Sequence, residues 1–587
     1  MPPVWPKSTS KQGGHSVAVH GVSMNKLVVC LAALLAGAAT IGPVMGQDVA
    51  GLAAGPVIIA PAQTPLAQAI KSGLAAAYSS ARKDTPVYSE AQKLYFFYGA
   101  RHFEPIWLDE ADSGAVTFSA PAQKIMKLFE AAASEGLRPA DYLTADLDVT
   151  TVKNDPAKMA ALETAFSRAT MRYATHIYTG RVAPQSVSEW FDIQPKKLDE
   201  AALLVQLAAS DDPVPVLQAL EPTHPEFLAL KAALASFDEN RADAPLRIAS
   251  GPTLKPGMSD ARVPALRTRF ELPPSDGLVY DDTLVEAMKS FQQSLNLDVD
   301  GVMGPATLTA INGGAPITRA DIIANMELWR WMPRELGAFH VFVNIPEYRL
   351  AIKRDGQEQF TTRVVVGTVK NQTPIFSDSI RHIVVNPYWN VPSSIVKGEI
   401  APAVLRNPGY IDSHNYDLLY EGNAVSPWQV NWSMVSPSYF PFKIRQRPGP
   451  GNALGQIKFL FPNKHDVYLH DTPSKAFFSR DARALSHGCV RVQDPMAFAD
   501  ALMANEPNIS RETLEAMFGP SERWVNPEQQ IPVHLAYFTI RPQADGTLRS
   551  FDDVYGHNAK LIAALGLGPA PVEPQIVAEV ADPSVAP

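Results

Sequence analysis

The sequence predicts a multidomain α+β protein: a helical scaffold domain, a small three-helix domain, and a β-rich catalytic domain interrupted by a lid-like insertion. Three observations carry this. At 587 residues and 63.7 kDa the chain is too long for one core and divides into three or four domains. Apolar residues recur at three and four over much of 85–238. From about His340 onward, short β-branched runs replace that period. An apolar content of 46% suffices for several cores, and a net charge of −9 argues against an extended nucleic-acid-binding surface.

In chain order, Lys7, Lys11 and Lys26 precede the apolar run Leu27 to Ile41, with small residues and a cleavage region at Val44-Met45-Gly46 after it. This is a secretory signal pattern (residues 1–46), too short to span a bilayer, which takes about 20 apolar residues; Met24 is an alternative start. The reading implies export to the periplasm with no transmembrane anchor in the mature protein. Cys30 lies in the leader, so Cys489 is the one cysteine expected to remain. Residues 47–84, rich in Ala, Pro and Gly, read as a flexible linker.

Residues 85–246 read as the helical scaffold. In Ser119 to Gly136, Ile125, Leu128, Phe129 and Ala132 share a face, Ser119 can cap the start, and Gly136 can end the turn. A second amphipathic run spans Met159 to Tyr178, and the aromatic group from Tyr95 to Trp107 reads as core. In 247–314, Val263, Leu266 and Phe270 suggest one short helix. Asp282 can cap a second that presents Leu284, Ala287, Met288 and Phe291, and a third runs from Ala306 to Ile311. After a linking helix near Asp321 to Trp331, strands are expected at 340–345, 348–353, 361–366, 380–386, 458–461, 467–470 and 533–538. Asp355-Gly356 is the hairpin turn between the second and third of these. Together these make a catalytic domain over 315–565. Within it, residues 392–451 hold Trp428, Trp432, Tyr439, Phe440 and Phe442 among prolines and glycines, and read as a lid or capping subdomain. Residues 566–587 read as a disordered tail.

The chemistry concentrates in Val467 to Val492. Val467-Tyr468-Leu469-His470 alternates as a strand does, and Ser486-His487-Gly488-Cys489 forms a turn into Val490-Arg491-Val492. In an oxidising exterior a lone thiol is a buried structural residue, half of an intermolecular disulfide, or a nucleophile. A thiol of ordinary pKa is mostly protonated at neutral pH and needs a neighbouring base or cation. His470 and His487 are the candidates for the base. His470, from a separate strand, can approach sulfur while leaving room for a carbonyl, whereas His487, two residues before Cys489, suits local architecture.

H-D-T at 470–472 with S-H-G-C-V-R at 486–491 resembles the signature of L,D-transpeptidases of the YkuD type, and P-Y-W-N-V-P (387–392) and P-G-P-G-N-A-L-G (448–455) resemble their large periplasmic subgroup. The string from Ala287 to Asn312, with its F-Q, D-G, G-x-x-T and closing Asn, resembles a small peptidoglycan-binding module. The resemblance implies Cys489 as nucleophile, His470 as general base, and the Asp471 carbonyl orienting that base. Backbone N–H groups around His487, Gly488 and Cys489 would form an oxyanion hole, whose loss costs about 10² to 10³ in rate. The commoner family version has Gly after the base histidine, so Asp471 is a departure.

Tyr468, Ser486, Arg491, Trp389 and Trp428 are the expected substrate contacts, Arg491 holding a stem-peptide carboxylate or pairing with Asp494. The implied reaction forms 3→3 cross-links in peptidoglycan through a cysteine thioester with a tetrapeptide stem, releasing D-Ala. The implied partners are stem peptides, glycan and carbapenem inhibitors, with no cofactor and no metal. An L,D-carboxypeptidase, a hydrolase releasing wall-tethered proteins, and a peptidoglycan-binding scaffold without activity remain as alternatives.

Overall fold

The computed structural model describes residues 59–568 except 112–114, 154, 238–247, 250, 276, 296, 313–316, 505–508 and 544. The expected leader and most of the expected tail lie outside the described residues.

The first finding is a correction. The stretch expected to be a flexible linker contains a helix, Pro65–Ser80, that begins at an N-cap, Thr64, followed by proline. Ala67, Ile70 and Leu74 recur at three and four and are buried in the scaffold core. The Ala-rich composition hid that stripe. Pro86–Gly99 follows, capped by Thr85, and then Ala120–Glu130, capped by Ser119, whose continuing turn ends on a left-handed Gly136 as the sequence predicts. These pack around Pro156–Thr179, a 24-residue helix. From its middle the buried Glu163 accepts the Ile106 N–H at 2.7 Å and the Tyr98 hydroxyl at 2.7 Å, and burial raises its carboxyl to about 7. The aromatic group is core, with Tyr98, Phe103 and Trp107 essentially inaccessible.

The small domain has the three expected helices, Val263–Arg269, Asp282–Ser294 and Pro305–Ile311. Asp281, one residue before the expected cap, accepts the Leu284 N–H. Gln292 binds the Asp300-Gly301 turn, donating to Asp300 Oδ1 and accepting from the Gly301 N–H, both at 2.9 Å.

Helix Arg319–Trp331 opens with a Thr318/Asp321 capping box and is buried along most of its length. It joins the scaffold to the last domain through buried charge. Glu327 accepts the Val182 N–H at 2.9 Å and the Arg181 N–H. Arg330, fully buried, pairs with Glu327 at 3.4 Å, donates to the Glu135 carbonyl and lies over the Phe227 ring. Gly180 (φ +90°) sits against this cluster, where a Cβ would lie 2.6 Å from the Glu327 carboxylate.

The last domain is one large sheet. Its order is Arg523–Val525, His382–Val385, Ile457–Leu460, Leu469–His470, Val490–Val492, Gln357–Gly367, Arg349–Arg354, Phe339–Asn344, Ile531–Ala536 and Phe376–Ile380, with Ala484–Ser486 attached to Gln357–Gly367. Phe376–Ile380 and His382–Val385 lie near opposite ends of that order with only Arg381 between them, so the sheet curls back on itself. The strand expected at 380–386 is His382–Val385, with the corner at Arg381 before it. Asp355 and Gly356, both at positive φ, form the expected hairpin turn.

The insertion is a folded subdomain. Tyr416–Tyr420, Asn423–Val425 and Lys443–Gln446 pair with one another and, through Lys443–Gln446, with Trp389–Asn390. They cover a core of their own that includes Ile400, Val404, Leu418 and Ile444.

Candidate active site

Two very short strands build the site. Leu469–His470 and Val490–Val492 are parallel, with Leu469 opposite Val490 and His470 opposite Arg491, and the Val490 N–H donates to the Tyr468 carbonyl at 3.1 Å. In this register Tyr468 stands opposite Cys489, and His470 is one same-face step along. The ring centroids of Tyr468 and His470 are 5.7 Å apart, edge to face.

His470 is buried, and its Nδ1 meets the carbonyl oxygen of Asp471. A carbonyl can only accept, so Nδ1 carries the hydrogen and the lone pair is on Nε2. The Asp471 carboxylate holds the turn, accepting the Gln456 N–H at 2.9 Å and pairing with Lys475 at 2.7 Å. Gly455 (φ +62°) faces it, and a Cβ there would lie 2.2 Å from Asp471 Oδ2.

Cys489 is half-buried and its thiol donates to the Asp466 carbonyl at 3.7 Å. Although the residue keeps some exposure, burial dominates and pushes the thiol up to about 11. A hydrogen bond from the Tyr468 backbone, the Arg491 charge and the Tyr468 side chain pull the other way, while Asp466 adds to the rise. Lys458 lies on the Tyr468 ring at 5.8 Å, and burial lowers its own pKa.

The turn bearing the thiol is held at several points. Ser486, buried, donates to the Cys489 carbonyl at 2.5 Å and accepts the Gly488 N–H at 3.2 Å. Thr373 Oγ1 donates to the Gly488 carbonyl at 2.7 Å, and Tyr555 holds Gly367 through its carbonyl at 2.6 Å. At Gly367 a Cβ would lie 2.1 Å from the Asn371 carbonyl, so this backbone approach excludes any side chain. Gly488 itself has φ +113°.

Several expected site residues are placed differently. Ser486 serves the turn's backbone, and Gly488 N–H is engaged by it, which leaves the N–H groups of His487 and Cys489 for an oxyanion. The His487 side chain pairs with Glu399 of the insertion at 2.9 Å. Trp389, expected as a substrate contact, is at 5% exposure part of the insertion's core. Trp428 is exposed on the insertion and donates to Asp412 at 3.2 Å. Arg491 is buried, 5.7 Å above the Phe477 ring, and Asp494 accepts from Thr362 at 3.4 Å. Sequence reasoning missed Thr373, Tyr555, Asp466 and Glu399, whose distance along the chain or unremarkable local context gave no signal.

The chain thus places a thiol and an oriented imidazole on neighbouring strands of a curled sheet, with a helical scaffold attached. Residues 338–509 match the model of the YkuD "L,D-transpeptidase catalytic domain", 92–234 that of a "Scaffold domain", and 269–311 that of a "Putative peptidoglycan binding domain". The chain matches all three domain models, with 338–509 the part that matches the L,D-transpeptidase catalytic domain. It is similar to the "Putative L,D-transpeptidase" of Haemophilus influenzae, 35% identical over 233 residues, which are 39% of this chain and 47% of the relative. The chain therefore matches about half the length (47%) of that curated relative. Crystal structures of L,D-transpeptidases from Xylanimonas cellulosilytica (14% identity, 49% of this chain and 98% of that one, TM-score 0.16) and Stackebrandtia nassauensis (13%, 49% and 97%, TM-score 0.21) also match, and with TM-scores this low neither informs the site.

Proposed function

We propose that the protein is an exported peptidoglycan L,D-transpeptidase that forms 3→3 cross-links. The carrying observation is the parallel register that sets Cys489 opposite Tyr468 and one step from a His470 whose Nδ1 is committed to the Asp471 carbonyl.

In this reading His470 Nε2 takes the thiol proton as Cys489 Sγ attacks the carbonyl of the third stem residue. The oxyanion is met by the N–H groups of His487 and Cys489. Collapse breaks the bond to D-Ala, whose nitrogen takes the proton from the imidazolium, and leaves a thioester. The amine of a neighbouring stem's diamino acid attacks that thioester, returns its proton through His470, and frees Cys489 with the new amide formed. A thiol held above its ordinary range at rest suits a mechanism in which the proton moves as substrate arrives. The insertion, tied to the turn through Glu399 and His487, excludes water so that an amine resolves the thioester. Carbapenems acylate the same sulfur.

Incubation of the purified protein with disaccharide-tetrapeptide, followed by mass spectrometry, tests this. A cross-linked dimer with loss of D-Ala is expected. Tripeptide without dimer assigns a hydrolase, and no product at all overturns the enzymatic reading.

A further inference from the structure

One cleft lies away from Cys489. It has a volume of about 800 Å³ and lies between the three-helix domain and the catalytic sheet, with Gln293 and Ser294 on one wall and Tyr348, Arg349, Arg541 and Arg549 on the other. Neither Cys489, His470 nor Tyr468 lines it. The two walls are fixed to each other, because Arg363 of the sheet donates to the Leu297 carbonyl and pairs with Asp298 at 3.2 Å. The size falls in the range of ligand sites, roughly 300–1,000 Å³.

Its charges are unequally matched. Arg349 grips Glu358 with both terminal nitrogens at 2.8 and 2.6 Å, and Arg541 pairs with Glu347 at 3.0 Å. Arg549 forms no ion pair among the described residues; it lies 5.0 Å over the Phe551 ring, where burial and the Arg349 and Arg541 charges oppose its own while Glu347 favours it. An anion at this position would relieve both. On another part of the wall Asp481 is crowded by Asp298 and Asp300, and burial with those charges raises its carboxyl against the pull of Arg483 and Arg363, so a further cation would be favoured there.

We propose that this cleft is a second, non-catalytic site for a peptidoglycan stem peptide, with a carboxylate on Arg549 and the diamino acid's ammonium at Asp481. The inference rests on the peptidoglycan reading above. A short zwitterionic peptide supplies both charges, which a neutral glycan chain does not. One stem held here anchors the enzyme while Cys489 works on another.

The test uses the full chain in a Cys489→Ala background, so that no acyl-enzyme forms, and measures binding to isolated sacculi. Arg549→Gln is expected to weaken binding about tenfold, the loss of one charge-assisted hydrogen-bonded pair, and Arg549→Lys to restore part of it. Free tetrapeptide is expected to compete, and glycan stripped of peptide is not. With Cys489 intact, Arg549→Gln is expected to process soluble disaccharide-tetrapeptide at the wild-type rate. Unchanged sacculus binding by Arg549→Gln, or competition by bare glycan alone, overturns the proposal. Asp481→Asn is the second variant should Arg549→Gln fail to fold, and wild-type binding by it is equally fatal. Absence of turnover in the unsubstituted protein would strike the catalytic reading while leaving the binding comparison readable.

Discussion

Two buried polar clusters in this chain are built in opposite ways. At the junction of scaffold and catalytic domain, Glu327 and Arg330 are desolvated together, each with the other and with backbone partners besides. At the nucleophile turn the backbone is equally well held, but the Tyr468 backbone and side chain and the Arg491 charge only partly offset the burial that raises the thiol to about 11. In the first cluster each charge meets its opposite at contact distance, although burial still raises the Glu327 carboxyl and Arg330 Nε has no partner among the described residues. The second leaves its reactive atom under-compensated on a rigid frame, which is the condition for a group that must change protonation during reaction.

The contrast can be broken most severely at the site. Cys489→Ala is expected to reduce tetrapeptide processing to background with the fold intact, read by mass spectrometry and circular dichroism. His470→Ala is expected to lower the acylation rate about 10² to 10⁴-fold, the usual yield of a general base, followed by carbapenem acylation in stopped flow. At the junction, Glu327→Ala strands a buried guanidinium. A loss of about 3–5 kcal/mol is expected in urea unfolding, and replacing both partners by apolar residues should recover much of it. If the single and double substitutions cost the same, the compensation account of this cluster is wrong.

Smaller effects sharpen the comparison. Because the folded thiol sits above its ordinary range, alkylation of Cys489 by iodoacetamide is expected to accelerate as pH rises toward about 11. Tyr468→Phe removes a hydrogen bond that lowers the thiol's pKa, so at any fixed pH below that value alkylation is expected to slow several-fold. A faster reaction in Tyr468→Phe would refute the assignment of Tyr468 as a partner of the thiol. The least effect belongs to Glu399→Gln. Its partly exposed pair with His487 is worth at most about 1 kcal/mol, so cross-linking is expected to fall by no more than roughly fivefold, with the hydrolysed tripeptide rising in proportion.

Much of the organisation was legible because it is local. The cap at Ser119, the left-handed Gly136 and the Asp355-Gly356 turn are decided by neighbours within four residues, and the sequence displays them. Reading 65–80 as linker failed because alanine dilutes a hydrophobic stripe without breaking the helix. Trp389 was misread because an aromatic in a proline-rich segment looks the same whether it caps a cleft or fills a core.

The sequence by itself determined the reactive inventory: a thiol after Gly488, an imidazole at the end of an alternating run, and the hydrophobic periods that separate helical from β domains. Tertiary structure alone decided that Leu469 pairs with Val490, that Thr373 and Tyr555 anchor the turn, that Glu399 reaches His487, and that a cleft opens beside Arg549. Those contacts join segments far apart along the chain. Their register follows from the closure of a curled sheet and the packing of whole domains, which no window of a few residues encodes.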